Sequence, residues 1–164
     1  MRDAPTYERE LRPLLGRAGG YARSLLGNRH DAQDDVQQAA LRAWEHIGQY
    51  DTARPFRGWW FAILRNCCLD MLRARKSART DNLDGIDPPD TREQEEPEWS
   101  SNSLEAALRN VSPAHQEILQ LKYFGDLSYD DLAVALAIPK GTVMSRLHLA
   151  RKALAAQMRK EQTP

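Results

Sequence analysis

Apolar residues recur at three- and four-residue spacing along most of the chain, and glycine, proline and short polar stretches separate the runs. From Tyr7 to Leu26, the residues Leu11, Leu14, Leu15, Ala18, Ala22, Leu25 and Leu26 keep helical spacing, with Gly27 as a natural stop. Gly19 and Gly20 each cost a helix about 1 kcal/mol relative to alanine, so a kink or break is expected there. A second helix is expected from a cap at Asp31, with Asp34 favoured in its first turn, to Gly48. Its apolar stripe is Val36, Ala40, Ala43 and Ile47, while Asp34, Gln37, Gln38, Leu41 and Glu45 occupy other faces. After the polar loop 49–55, a third helix from about Phe56 to Arg75 gathers Trp59, Trp60, Phe61, Ile63, Leu64, Leu69 and Leu72. It ends in a basic cluster of Arg73, Arg75 and Lys76, with Arg79 beyond.

The C-terminal part is punctuated more sharply. Ser112-Pro113 is a cap followed by a first-turn proline, opening a helix to about Tyr123 that Gly125 closes. Ser128-Tyr129-Asp130-Asp131 has the form of a capping box and starts a short helix through Leu136. A tight break at Ala137-Ile138-Pro139 precedes a last helix from about Lys140 to Met158, with Val143, Leu147, Ala150 and Leu154 on one face. A short helix, a tight turn and a longer helix with a polar-basic front is a helix-turn-helix layout. Any helical hairpin with a basic face would show the same periodicity.

Between these helical parts lies a stretch of different composition. Residues 81–103 contain eight acidic and one basic residue, three prolines, and only Leu83, Ile86 and Trp99 as large apolar side chains. Such a segment buries too little surface to offset the ordering of its backbone and is expected to be a flexible acidic linker. Two small helical domains, 1–80 and 104–164, are therefore expected around an acidic linker at 81–103. The fold class is all-α.

Charge changes its meaning once it is divided in this way. The whole chain of 164 residues balances 23 basic against 23 acidic residues, which argues weakly against a nucleic-acid partner. Yet 1–80 carries a net +5 and 104–164 a net +2, offset by −7 in the linker. Eighteen of the 23 basic residues are arginine, which suits phosphate contact, although a GC-rich genome gives the same bias. No apolar run approaches the length of a membrane span, and the N-terminus shows no signal peptide. The adjacent Cys67 and Cys68 cannot staple distant segments. A cytoplasmic protein without membrane insertion is expected.

Candidate catalytic chemistry is sparse. Cys67 and Cys68 point about 100° apart on a helix, which suits neither a bridge nor a zinc site. His30, Asp31, Asp34 and Asp35 sit at a helix start, where the aspartates have capping and dipole reasons to occur. No phosphate loop, nucleophile elbow or histidine pair at metal spacing is present. Neither enzymatic activity, nor a cofactor, nor a metal is expected.

Three motifs in order carry a resemblance. Leu127-Ser128-Tyr129-Asp130-Asp131-Leu132-Ala133, then Ile138 to Leu147 and Ala150-Arg151, resembles region 4 of the bacterial sigma factors, and of their extracytoplasmic-function (ECF) group in particular. Asp31 to Gln38 with Arg42-Ala43-Trp44 resembles the region 2 helix that binds core polymerase. Phe56-Arg57-Gly58-Trp59, Ile63 to Asn66, Asp70 and Leu72-Arg73 resembles the promoter-melting helix of that region. The similarity covers about 10–76 and 104–156. It implies a dissociable initiation subunit of RNA polymerase, with a region 2 helical bundle and a region 4 helix-turn-helix. The partners implied are core RNA polymerase, promoter DNA and an anti-sigma factor, and the free protein is expected to be a monomer.

The resemblance also distributes roles. Asp34, Gln37, Gln38, Leu41 and Arg42 would bind core polymerase, although from composition alone a solvated face is the simpler reading. Relatives usually carry an apolar residue where Asp35 stands and glutamate where Gln38 stands. Tyr50, Asp51, Arg54, Arg57, Trp59, Trp60, Arg65, Asn66 and Arg73 would recognise and open the minus-ten element. Melting needs aromatic pockets for an unstacked base together with backbone charge contacts, and at least one of the two tryptophans is expected to be packing core. Lys140, Thr142, Met144, Ser145, Arg146, His148 and Arg151 would face the minus-thirty-five element. Many relatives carry a long basic residue where Met144 stands and arginine where Leu149 stands, so their promoter sequences do not transfer. The rival reading is a stand-alone helix-turn-helix regulator, for which the tryptophan-rich first 80 residues would have no purpose.

Overall fold

The computed structural model describes residues 3–81 and 102–161, and among these every regular element is helical. Helices α1 (Ala4–Leu11), α2 (Leu15–Leu26), α3 (Arg29–Glu45) and α4 (Phe56–Asp81) form the N-terminal half. Helices α5 (Asn102–Arg109), α6 (Pro113–Tyr123), α7 (Tyr129–Leu136) and α8 (Lys140–Glu161) form the C-terminal half. Most of the expected linker lies outside the described residues; its two ends belong to helices, Asp81 to α4 and Asn102 to α5.

Several element boundaries differ from those expected. The helix is unbroken through Gly19 and Gly20, and the interruption falls at the 3-10 turn Arg12–Leu14. Pro13 supplies the reason, since it has no N–H to donate and its ring crowds the preceding turn. Asn28, not Asp31, caps α3: its side chain accepts from the Asp31 N–H at 2.8 Å. The inward face of α3 is also turned from the expected stripe. Ala32, Asp35, Ala39 and Ala43 are buried, and Val36, Ala40 and Ile47 are only partly covered. Small residues on this face, with Ala18 and Ala22 on α2, let neighbouring helices approach closely. Helix α4 runs on to Asp81, past the expected end near Arg75.

The C-terminal punctuation is as the sequence predicts. Ser112 caps α6, and Ser128 and Asp131 form both hydrogen bonds of a capping box at the start of α7. Ala137 closes α7 in the left-handed conformation with φ 54°, and α8 begins three residues later.

Both halves contribute to one continuous core. Tyr21, Trp60, Phe61 and Leu64 from the first meet Ile118, Leu119, Leu121, Leu127, Leu132, Val143 and Leu147 from the second. The halves join chiefly through α4 against α7, with α2 touching α6. Gly58 makes this possible: a Cβ there would stand 2.7 Å from the Asp131 carbonyl oxygen. One turn on, Phe61 packs on Gly125, where a Cβ would lie 3.1 Å from its ring.

Candidate nucleic-acid interfaces

The first candidate surface is the outer face of α3. Helical geometry that turns Ala32, Asp35, Ala39 and Ala43 inward leaves Asp34, Gln37, Gln38 and Leu41 exposed, with Arg42 partly covered. Leu41 is 62% exposed. Trp44, one turn further and also exposed, packs against Tyr7 with the rings tilted by 52° and their centroids 5.4 Å apart. The Tyr7 hydroxyl donates to the Ala40 carbonyl at 2.7 Å, tying α1 to this helix. Arg42 reaches Asp70 of α4 at 3.4 Å, and Asp70 also accepts from Arg73 at 3.1 Å. Of the five residues expected to contact polymerase, four are thus exposed, Asp34 lying 3.4 Å from the His30 ring nitrogen, and the fifth is braced against α4.

Beneath this face lies a feature that the sequence pattern concealed. Asp35 is buried, and its Oδ2 has no hydrogen-bond partner. Desolvation raises the carboxyl pKa, the nearby Asp31 adds to the rise, and the Cys68 thiol, Arg75 and Arg42 oppose it. Burial likewise pushes up the thiols of Cys67 and Cys68. At the head of the same helix, Asp31 shifts the other way. The Asn28 side chain donates to it at 3.0 Å and Arg75 pairs with it, so its pKa is lowered. Arg75 also donates to the Leu26 carbonyl at 2.8 Å, which fastens the far part of α4 to the α2–α3 corner.

The second candidate surface is the loop before α4 and the start of that helix. Tyr50, Phe56 and Trp59 form an aromatic cluster, with Tyr50 and Trp59 centroids 4.9 Å apart and Tyr50 and Phe56 centroids 5.6 Å apart. The Tyr50 hydroxyl donates to the Arg54 carbonyl, and Asp51 accepts from the Ala53 N–H at 2.9 Å. These bonds hold a short turn in which Asp51 and Arg54 are exposed while Tyr50 is buried. Trp59 is partly exposed. Trp60 is fully buried against Phe61, so it is the packing member of the pair and its expected place on the DNA surface is corrected. Further along α4, Asn66 and Arg73 are exposed.

Arg57 and Arg65 are engaged within the chain. Arg57 donates to the Asp126 carbonyl at 3.1 Å, and Arg65 forms an ion pair with Glu117 of α6. Sequence reasoning did not find the surface that these contacts build, which also includes Gly58, Phe61, Gly125 and the Gln120 amide donating to the Ser24 carbonyl at 3.4 Å. The available signal was Gly58 itself, a helix-weakening residue amid large apolar ones.

The third candidate surface is the front of α8. Val143, Leu147 and Ala150 are buried against α6 and α7, which leaves Lys140, Met144, Ser145, His148, Arg151 and Lys152 exposed; Thr142 and Arg146 are partly covered. Lys140 pairs with Asp130 at 3.2 Å, and Arg151 donates to the Tyr123 hydroxyl at 3.0 Å. Five of the seven expected minus-thirty-five residues are therefore exposed on one helix, with Thr142 and Arg146 partly covered at its margin, and Lys140 and Arg151 are each in contact with a side chain of a neighbouring helix.

Among the described residues no helix is long and apolar enough to cross a membrane, and no group of three or more histidine, cysteine or acidic residues could hold a metal. Residues 7–78 match Sigma-70 region 2, and residues 101–154 match Sigma-70, region 4. The sequence is similar to the ECF RNA polymerase sigma factor SigL of Mycobacterium tuberculosis (strain ATCC 25618 / H37Rv), 41% identical and covering 82% of this chain and 78% of that one. It is also similar to the ECF RNA polymerase sigma factor SigW of Bacillus subtilis (strain 168), 32% identical and covering 82% and 79% of the two chains. Among solved structures, the sigma factor RpoE of Bartonella quintana, in complex with the anti-sigma factor NepR, superposes with a TM-score of 0.71 at 26% identity, covering 93% of this chain and 96% of that one. CnrH, in complex with the cytosolic domain of CnrY, shares the fold with a TM-score of 0.71 at 22% identity, covering 98% and 92%. With region 2 and region 4 matched in order, the chain belongs to the ECF group of the sigma-70 family, whose members direct RNA polymerase to promoters.

Proposed function

We propose that α3 binds core polymerase through Asp34, Gln37, Gln38, Leu41 and Arg42, that the 50–73 segment opens the minus-ten element, and that α8 reads the minus-thirty-five element. The observation that carries this reading is the occurrence in one chain of an exposed polar stripe on α3 and a cation-framed helix-turn-helix front on α8. A stand-alone regulator would need only the second. The protein acts in the cytoplasm as a non-enzymatic monomer until polymerase takes it up.

The packing of the halves bears on the mechanism. The two promoter elements are named for positions about 25 base pairs apart, or roughly 85 Å of duplex at about 3.4 Å per pair. Halves sharing one core cannot touch both at once, so initiation requires them to separate. The 20 residues between α4 and α5 can reach on the order of 70 Å when extended. Separation frees Arg57 and Arg65 for the promoter backbone and for bases leaving the stack. The RpoE–NepR structure supports an anti-sigma factor as the further partner, one that would hold the chain away from polymerase.

Run-off transcription tests the reading. The purified protein should yield specific transcripts only when core polymerase is added, and reversal of charge at Asp34 and Arg42 should abolish them. Tight, specific duplex binding by the protein alone, with no association with core polymerase, would overturn it.

A further inference from the structure

The outer face of α8 is not uniformly polar. Met144 is 52% exposed and lies on the solvent side of the first two turns beside Ser145 and His148. Leu149, five residues on from Met144 and about 140° further round the helix, is 54% exposed. The same face is bounded by Lys140, Arg151 and Lys152, and two of these cations are oriented from outside the helix, Lys140 by Asp130 and Arg151 by Tyr123. Arg151 also sits 6.0 Å from the centroid of the Tyr123 ring. Fixed cations on both sides of an exposed apolar side chain suit a duplex, in which phosphates flank a groove floored by base edges.

An apolar side chain brought to that floor has one favourable partner. The major-groove edges of guanine, adenine and cytosine present acceptors and donors that a thioether, only a weak acceptor, satisfies poorly after displacing their water, whereas thymine adds a 5-methyl group beside its O4 acceptor. Met144, unbranched and adaptable, suits contact with a protruding methyl. Resting on the reading that α8 enters the major groove, we propose that Met144 is a specificity-determining residue selecting thymine in the upstream promoter element through its 5-methyl group. Leu149 lies further along the helix, away from the N-terminal turns that contact base edges most closely in helix-turn-helix complexes.

The test uses the full chain in a holoenzyme with a bacterial core polymerase. Promoters are first selected by run-off transcription from a genomic fragment library, and each upstream thymine is then replaced singly by deoxyuridine, which removes only the methyl group. At one position wild-type holoenzyme should bind about fourfold more weakly, the effect of losing one buried methyl. Holoenzyme with Met144→Ala, a change at an exposed position, should show no response there and should accept other bases more readily. Uniform indifference to deoxyuridine, or a response that persists in Met144→Ala and disappears in Leu149→Ala, overturns the assignment while leaving the sigma-factor reading intact. Absence of any transcript from the library overturns both.

Discussion

Gly58 lies directly against Asp131, where a Cβ would stand 2.7 Å from the carbonyl oxygen of Asp131 and 2.9 Å from Val134 Cβ. This contact sets how closely α4 and α7 approach and thereby how the two halves close. Gly58→Ala should favour α4 itself by up to about 1 kcal/mol while forcing the α7 backbone away. Small-angle scattering should show a larger radius of gyration than wild type, with helix content by circular dichroism preserved. An unchanged radius would mean that the interface absorbs a methyl group and that glycine is not required there.

The Arg65–Glu117 ion pair gives a second handle on the same equilibrium, because both side chains are about one-quarter exposed and neither is fully desolvated. Glu117→Gln should lower the closed-to-open ratio about fivefold, equivalent to roughly 1 kcal/mol, and the difference should shrink in high salt. Fluorescence transfer between labels on the two halves reads that ratio. The charge swap Arg65→Glu with Glu117→Arg should restore closure but leave promoter opening impaired, since the swap removes the cation at position 65 that is proposed to contact DNA.

The helix punctuation was mostly legible where a side chain acts on its own backbone, although the cap of α3 falls on Asn28 and not on Asp31. Ser112, Ser128 with Asp131, and the break at Ala137 to Pro139 all behave as local chemistry dictates. The reading failed where packing decided. Of the expected stripe on α3 only Ala43 is buried; burial otherwise falls on Ala32, Asp35 and Ala39, where helices approach closely, while Val36, Ala40 and Ile47 are only partly covered. Pro13 overrode the glycine pair for a steric reason, and Trp59 and Trp60 could not be told apart until the helix had neighbours. The contact between the halves was invisible because it joins residues far apart in the chain, such as Arg65 and Glu117.

The buried thiols make a chemical prediction. Cys67 and Cys68 are both closed to solvent, and burial holds their pKa values above the ordinary thiol range, so little reactive thiolate is present at neutral pH. The native protein should leave both cysteines unlabelled by Ellman's reagent while the denatured protein releases two equivalents. Fast labelling of either thiol in the native protein would show that α4 is open to solvent at that turn.

Asp31 and Asp35, four residues apart on α3, should give stability opposite dependences on pH. Asp31 has a lowered pKa, from the Asn28 hydrogen bond and the Arg75 ion pair, so its native state binds fewer protons than its unfolded one. Its contribution is present above the ordinary carboxylate pKa and is lost as pH falls through and below that value. Asp35 has a raised pKa through burial, so folding favours its protonated form. Its contribution is present below the ordinary carboxylate pKa and is lost as pH rises from that value through the raised one. Urea midpoints measured across mildly acid pH should therefore pass through a maximum. Asp31→Asn should flatten the acid side of that curve, and Asp35→Asn the neutral side. At pH 7, Asp35→Asn should raise stability by about 1 kcal/mol, because it removes a buried charge with an unpaired oxygen. A fall in stability at pH 7 would show that the ionised carboxylate is held by its neighbours Arg42, Arg75 and Cys68 more strongly than burial opposes it.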